Sequence, residues 1–167
     1  MSELRKDPLL AYIGIGSNLD DPRQQVETAI TMLNGLPGCH VLRQSSLYVS
    51  APFGGVEQAD FVNAVVALET AVPPAILLSC VKELERSRGR DPAAQRWGPR
   101  VLDLDILVYA DQVVDFPDLQ IPHPGIAERN FVLLPLREIA PDLVIPGLGP
   151  LANIAVNEQS PLISILD

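Results

Sequence analysis

The chain has no apolar run approaching the roughly 20 residues that a membrane helix requires. Its first ten residues, MSELRKDPLL, offer neither a hydrophobic signal core nor a small-residue cleavage site. Export and membrane insertion are therefore not expected; a cytoplasmic location is. Cysteine is scarce: Cys39 and Cys80 are the only two, they lack metal-ligand spacing, and they read as buried free thiols rather than a disulfide. Only His40 and His123 represent histidine, without a close acidic partner for His123, so a zinc site is not expected. Positive charge is in deficit, with 12 Lys and Arg against 21 Asp and Glu and a net charge of −9. That balance argues against a general binder of nucleic acid or anionic membranes. Internal repeats and low-complexity segments are lacking as well.

What remains is ordinary globular material: 167 residues, 47% hydrophobic and 20% charged, enough for one domain with a sizeable core. The few basic residues are unevenly spread. Six of the twelve (Lys82, Arg86, Arg88, Arg90, Arg96 and Arg100) fall between positions 82 and 100, a concentration suited to catching a small polyanion. Immediately after them, residues 96–109 read RWGPRVLDLDILVY. From Val101 the pattern alternates, with Leu102, Leu104, Ile106 and Val108 on one face and Val101, Asp103, Asp105, Leu107 and Tyr109 on the other. A strand of this kind holds its two aspartates roughly 7 Å apart on one side. Such pairs are often solvated rim residues, but within an apolar strand two carboxylates repel and lose hydration, which calls for a cation or donors between them. A divalent metal is the natural counter-charge, and the basic, Trp-containing loop beside it suggests Mg²⁺ and phosphate.

The remaining elements follow the chain in order. Residues 9–15 (LLAYIGI) form a near-continuous apolar run expected as a central strand. Asp20 or Asp21 caps the next helix, which has Pro22 in its first turn, Val26, Ala29, Ile30 and Leu33 as its buried stripe, and Gly35 as its stop. Residues 41–50 and 61–68 suit a second and third strand. The segment 51–60 between them is too long for a tight hairpin and reads as a binding loop. Pro73 and Pro74 open a helix with Leu77, Cys80, Val81 and Leu84 as its stripe and its end near Arg88 and Gly89, and residues 90–99 form a loop before the aspartate strand. A helical stretch over 127–139, interrupted by Pro135, and a short 143–145 run complete the reading. The order strand, helix, strand, strand, helix, strand is the α+β, ferredoxin-like arrangement, an antiparallel sheet with helices packed on one face and C-terminal additions. A single domain over 1–167 is expected, with 1–8 and 151–167 as tails.

Five segments in this order, GSN (16–18), FVNAVVALET (61–70), RWGPRVLDLDILVY (96–109), IPHP (121–124) and RNFVLLPLREIAP (129–141), resemble 6-hydroxymethyl-7,8-dihydropterin pyrophosphokinase of folate synthesis. Any one piece is weak; the ordered set covers nearly the whole chain. The resemblance implies a ferredoxin-like enzyme that binds ATP with two Mg²⁺ and moves its β,γ-pyrophosphate to the pterin hydroxymethyl group, releasing AMP. It implies Asp103 and Asp105 as the metal-binding pair, and Arg90 and Arg100 as catalytic arginines closing over ATP, with their roles unsplit. It implies further ATP contacts from Glu85, Trp97, Ile106, His123 and Arg129; Trp97 would either seal the site or anchor the loop, and Glu85, on the polar side of its helix, would contact nucleotide or support the basic loop. For the pterin it implies stacking by Phe61 and Phe131 and edge contacts from Asn63 and the main chain of Ser50, Ala51 and Phe53.

Two departures stand out. Some members carry Tyr where Phe61 stands, and residues 91–94 (DPAA) are less basic than in certain relatives. The partners implied are ATP and the pterin, without nucleic acid or membrane, for a monomer that lacks a fused second catalytic domain. The alternatives are another Mg²⁺-dependent phosphotransferase, which would accept unrelated hydroxymethyl heterocycles, or a non-enzymatic nucleotide or pterin sensor, which would have no turnover to lose.

Overall fold

The apolar run at residues 9–15 becomes the middle of β1 (Leu9–Ser17), which has β4 (Phe61–Thr70) on one side and β5 (Asp103–Tyr109) on the other. Both of its faces are covered, which is why it reads as continuous hydrophobicity rather than alternation. The computed structural model describes residues 7–52, 57–89 and 99–166. β2 (Cys39–Gln44) and β3 (Tyr48–Ser50) both pair with β4, and β10 (Ile163–Ile165) pairs with β3. The main path is β10-β3-β4-β1-β5, with every pairing antiparallel. Each strand–helix–strand unit thus straddles a strand of the other, the expected ferredoxin-like interleaving. β10 lies within residues 151–167, the stretch expected as a tail.

α1 (Pro22–Asn34) starts and stops where its sequence signals stand: the Asp21 side chain accepts from the Gln24 N–H, Pro22 is its first residue, and Gly35 caps the end. Its Val26, Ala29, Ile30 and Leu33 pack with Leu77 and Val81 of α2 (Pro74–Ser87) on Ile13, Ile15, Val62, Ala64, Val66, Leu104 and Ile106. α3 (Asn130–Ile139) lies on the opposite face, where Val132, Leu133, Leu136 and Ile139 pack against Tyr12, Val65, Ala67, Leu107 and Val108. α1 and α2 share a face as expected, while the additional helix covers the other; Pro135 lies inside it without ending it. Two short hairpins, β6 (Val114–Phe116) with β7 (Leu119–Ile121) and β8 (Val144–Ile145) with β9 (Gly149–Pro150), flank α3 in the chain. Among the described residues no helix is long and apolar enough to cross a membrane.

Two local expectations are corrected. The strand read over 41–50 is broken at Ser45, whose hydroxyl accepts from the Val65 N–H, while Ser46 turns its N–H and hydroxyl to Glu138 of α3. The alternation read over 101–109 fails after Ile106. The register with β1 slips between Ile13↔Ile106 and Tyr12↔Val108, so Leu107 is bulged. Val108 consequently joins the α3 side and Tyr109 the α1/α2 side, where its fully buried hydroxyl donates to the Val72 carbonyl at 2.6 Å.

Candidate active site

α3 covers only part of its sheet face. Beyond its N-terminal end that face presents Phe61 and Asn63 on β4, Gly14 and Gly16 on β1, and Asp103 and Asp105 on β5. Strand parity dictates the set: Ile13, Ile15, Val62, Ala64, Leu104 and Ile106 go into the α1/α2 core, so their alternate neighbours face the other way. Register brings them level, since Gly16 is opposite Asn63 on one side and Asp103 on the other, and Gly14 is opposite Asp105. With strands about 4.8 Å apart, Asn63 and Asp103 are separated by roughly 10 Å at the backbone. Gly16 leaves the floor between them bare, where a Cβ would come within 3.3 Å of the Asn63 amide oxygen, whereas at Gly14 the Leu107 side chain closes the floor, 3.4 Å from where a Cβ would stand. Glycine inside a strand marks a place where something must approach the backbone closely.

On the β5 side, the Asp105 carboxylate lies 3.9 Å from His123 Nε2 and 3.9 Å from Arg129 Nη1. His123 Nδ1 accepts from the Gly125 N–H at 3.0 Å, so the proton of the neutral ring sits on Nε2, toward Asp105. Burial, reinforced by Arg129 and opposed by Asp103, pushes the ring down to about 4. His123 is a neutral donor here at physiological pH. The Arg129 guanidinium lies 6.0 Å from the centre of the Phe131 ring and folds over Gly125, where a Cβ would sit only 2.8 Å from its Nε. Arg129 is also the N-cap position of α3, an end with no side-chain cap and no acid in its first turn. Such an end favours anions.

The β4 side is built differently. Asn63, 5% exposed, donates from Nδ2 to the Ser50 hydroxyl at 2.8 Å, and Phe61 lies beside it, half-buried. One wall is aromatic and amide-bearing; the other is acidic. Among the described residues no cluster of three or more His, Cys, Asp and Glu could cage a metal unaided. The Asp103 and Asp105 pair nevertheless fits a hard divalent ion that draws its other ligands from phosphate and water, the usual habit of Mg²⁺.

Residues 12–141 match the family 7,8-dihydro-6-hydroxymethylpterin-pyrophosphokinase (HPPK). The chain belongs to this family. It is 45% identical over 137 residues to the 2-amino-4-hydroxy-6-hydroxymethyldihydropteridine pyrophosphokinase of Pseudomonas aeruginosa, covering 81% of this chain and 83% of that protein. To the Haemophilus influenzae protein of the same name it is 43% identical over 139 residues, 83% of this chain and 86% of that one. The fold is similar to a crystal structure of Plasmodium falciparum HPPK-DHPS, with a TM-score of 0.72 at 16% identity, covering 92% of this chain and 42% of the other. Pyrophosphokinase activity in folate biosynthesis comes with membership of the family, which is generally Mg²⁺-dependent.

Among the residues that the resemblance to HPPK singled out, Asp103, Asp105, His123 and Arg129 gather on one side, and Ser50, Phe61 and Asn63 on the other. Phe131 stands against Arg129 at the start of α3. Ala51 follows β3, with its N–H held by the Leu162 carbonyl at 2.9 Å. Phe53, Arg90 and Trp97 lie outside the described residues. Glu85 requires correction: it is not on the polar side of its helix but on the buried stripe Leu77, Val81, Glu85, and its carboxylate accepts the Leu104 N–H at 2.7 Å. Spacing of i, i+4, i+8 from Leu77 was the available signal. Ile106 has its side chain in the core, 4% exposed, but by parity with Leu104 its main-chain polar groups point to the outer edge of β5. The sequence reading passed over Asn18. Buried at 3% exposure, it donates to Gln58 Oε1 at 2.8 Å and the Ala59 carbonyl at 2.9 Å, and exchanges two bonds with the main chain of Arg100. It thereby ties the segment before β4 to the segment before β5; its position directly after an apolar strand was the clue.

Proposed function

We propose that the protein moves the β,γ-pyrophosphate of ATP onto the hydroxymethyl oxygen of 6-hydroxymethyl-7,8-dihydropterin, as a cytoplasmic monomer, with AMP as the leaving product. The observation that carries this reading is the glycine-floored trough, with an aromatic and amide wall on one bank and a carboxylate pair level with it on the other. The pterin ring lies between Phe61 and Phe131, and its amide-like edge meets Asn63 and the main chain at Ser50, Ala51 and Phe53. The polyphosphate runs over Gly16 toward Asp103 and Asp105, with His123 Nε2–H and the Arg129 guanidinium donating to it, and Trp97 beside the nucleotide. Ile106 contributes only main-chain contacts, because its side chain is buried. Glu85 acts through Leu104, holding the two flanking aspartates in place.

Asp103 and Asp105 would hold two Mg²⁺, which when bound would neutralise and orient the triphosphate. The pterin oxygen bonds to the β-phosphorus as the bond from that phosphorus to the oxygen shared with the α-phosphate breaks, and AMP departs with the electron pair. The hydroxyl proton passes to water, since loose phosphoryl transfer asks more of positioning than of a base. Arg90 and Arg100 stabilise charge gathering on the transferred oxygens. Chromatography of the nucleotide products tests this: AMP is expected, with turnover abolished by EDTA and lowered by about 10²-fold or more in Asp103→Asn and Asp105→Asn. ADP as product, or turnover that survives EDTA, refutes it.

A further inference from the structure

We infer that residues 157–166, which lie beyond the residues 12–141 matched by the family, form a strap that sets the position of both walls of the heterocycle pocket, with Asn130 as its positioning residue. The inference rests on the reading that Ser50, Ala51 and Phe131 line that pocket.

Asn130 stands between Arg129 and Phe131 at the start of α3 and is 2% exposed. Its Nδ2 donates two bonds, to the Asn157 carbonyl and the Pro161 carbonyl, both at 2.7 Å. The reversed amide would set an oxygen against two carbonyl oxygens, so these bonds decide its orientation. They do so although Asn130 Oδ1 is left buried with no partner among the described residues. The strap is shaped to receive them, because Asn157 Oδ1 accepts the Gln159 N–H at 3.0 Å and Gln159 bridges to Leu162.

The same segment then runs along the other wall. Ile163 pairs with Ser50, Ser164 with Val49 and Ile165 with Tyr48, while the Leu162 carbonyl accepts the Ala51 N–H and the Leu166 N–H donates to Leu47. Ser50 in turn accepts from Asn63. At the far end of α3, Glu138 accepts the Tyr48 hydroxyl at 2.7 Å. α3 is therefore joined to β3 at both ends, directly at its C-terminal end and through the strap at the end bearing Phe131. Loosening the strap frees Phe131 relative to Ser50 and Ala51, while Asp103 and Asp105 stay fixed by the pairing of β5 with β1 and Arg129 by its seat against Gly125 and Asp105. Its signature is a loss of pterin affinity without a loss of ATP affinity.

The test compares Asn130→Ala with Ser164→Pro in the full chain. The second removes the N–H of the strap residue that pairs with Val49, on an exposed edge strand. Both should raise the KM for the pterin on the order of tenfold, with kcat and the KM for ATP within about twofold of the parent. A merely structural role would lower the active fraction, and hence apparent kcat, without moving the pterin KM. Phe61→Ala is run in parallel. If it leaves the pterin KM unchanged, the pocket assignment fails. If it raises the KM while neither strap variant does, the strap inference fails and the pocket stands. Should Asn130→Ala not fold, Ser164→Pro decides the question alone.

Discussion

Glu85 is the residue whose replacement probes most of the architecture at once. Its carboxylate, 6% exposed, caps the Leu104 N–H at 2.7 Å on the outer edge of β5, where among the described residues no further strand of the sheet supplies an acceptor. Glu85→Ala removes a charge-assisted bond and strands a buried donor, a loss of about 1.5–3 kcal/mol. For a chain of this size each kcal/mol corresponds to roughly 2–4 °C, so the melting temperature should fall by about 3–12 °C. Glu85→Gln keeps an acceptor at about half the strength and should lose about 1 kcal/mol. Activity should follow the same order, because Leu104 lies between Asp103 and Asp105 and a small displacement of that segment moves both carboxylates. A fall of about 10²-fold is expected for Ala and a milder one for Gln. Thermal unfolding and a steady-state AMP-release assay on the same preparations are sufficient. Wild-type melting in Glu85→Ala, or equal inactivation by Gln and Ala at full stability, refutes the reasoning, since either would mean that the Leu104 bond is not what Glu85 contributes.

Two further outcomes concern His123 and Arg129, which stand against Asp105 on the same bank. His123 is held at about 4 in the fold against 6.5 in the unfolded chain, so between those values the unfolded state holds the extra proton and stability is lost as pH falls from 7 toward 4. The full shift would amount to about 3 kcal/mol, and partial solvent contact of the ring brings it to about 2; urea unfolding at pH 7 and 4.5 should show that loss, and His123→Asn, which keeps an acceptor for the Gly125 N–H, should remove most of it. Gly125→Ala forces the Arg129 guanidinium off its seat, because the new Cβ would be 2.8 Å from Nε, yet the backbone there has an ordinary φ of −94. The KM for ATP should rise on the order of threefold to tenfold with the melting temperature unchanged within about a degree; an unaltered KM would mean that this seat does not matter to nucleotide binding.

Much of this was open to sequence reasoning because the signals are local. The caps of α1, the apolar run of β1 and the alternation that sets Asp103 and Asp105 on one face are each written within a few neighbouring residues. Glu85 was misjudged because a carboxylate suggests solvent, while only the unpaired N–H on the edge strand explains its burial. Tyr109 was assigned to the wrong face because a bulge depends on pairing with another strand, not on the strand's own pattern. Asn18 was quoted as part of a motif, but its work is with residues 58, 59 and 100, which are remote in the chain.

By itself, then, the order of residues determined the kinds of elements, the acidic pair, the concentration of scarce positive charge and the family to which these belong. Tertiary structure alone decided that β1 contributes a bare floor at Gly16 between two chemically opposite banks, that α3 stops short of covering it, and that the last strand returns to brace the pocket wall. The division has a physical cause. Periodicity and capping are settled by short-range sterics and hydrogen bonds, whereas the level pairing of Asn63, Gly16 and Asp103 exists only once strands distant in the chain share one sheet.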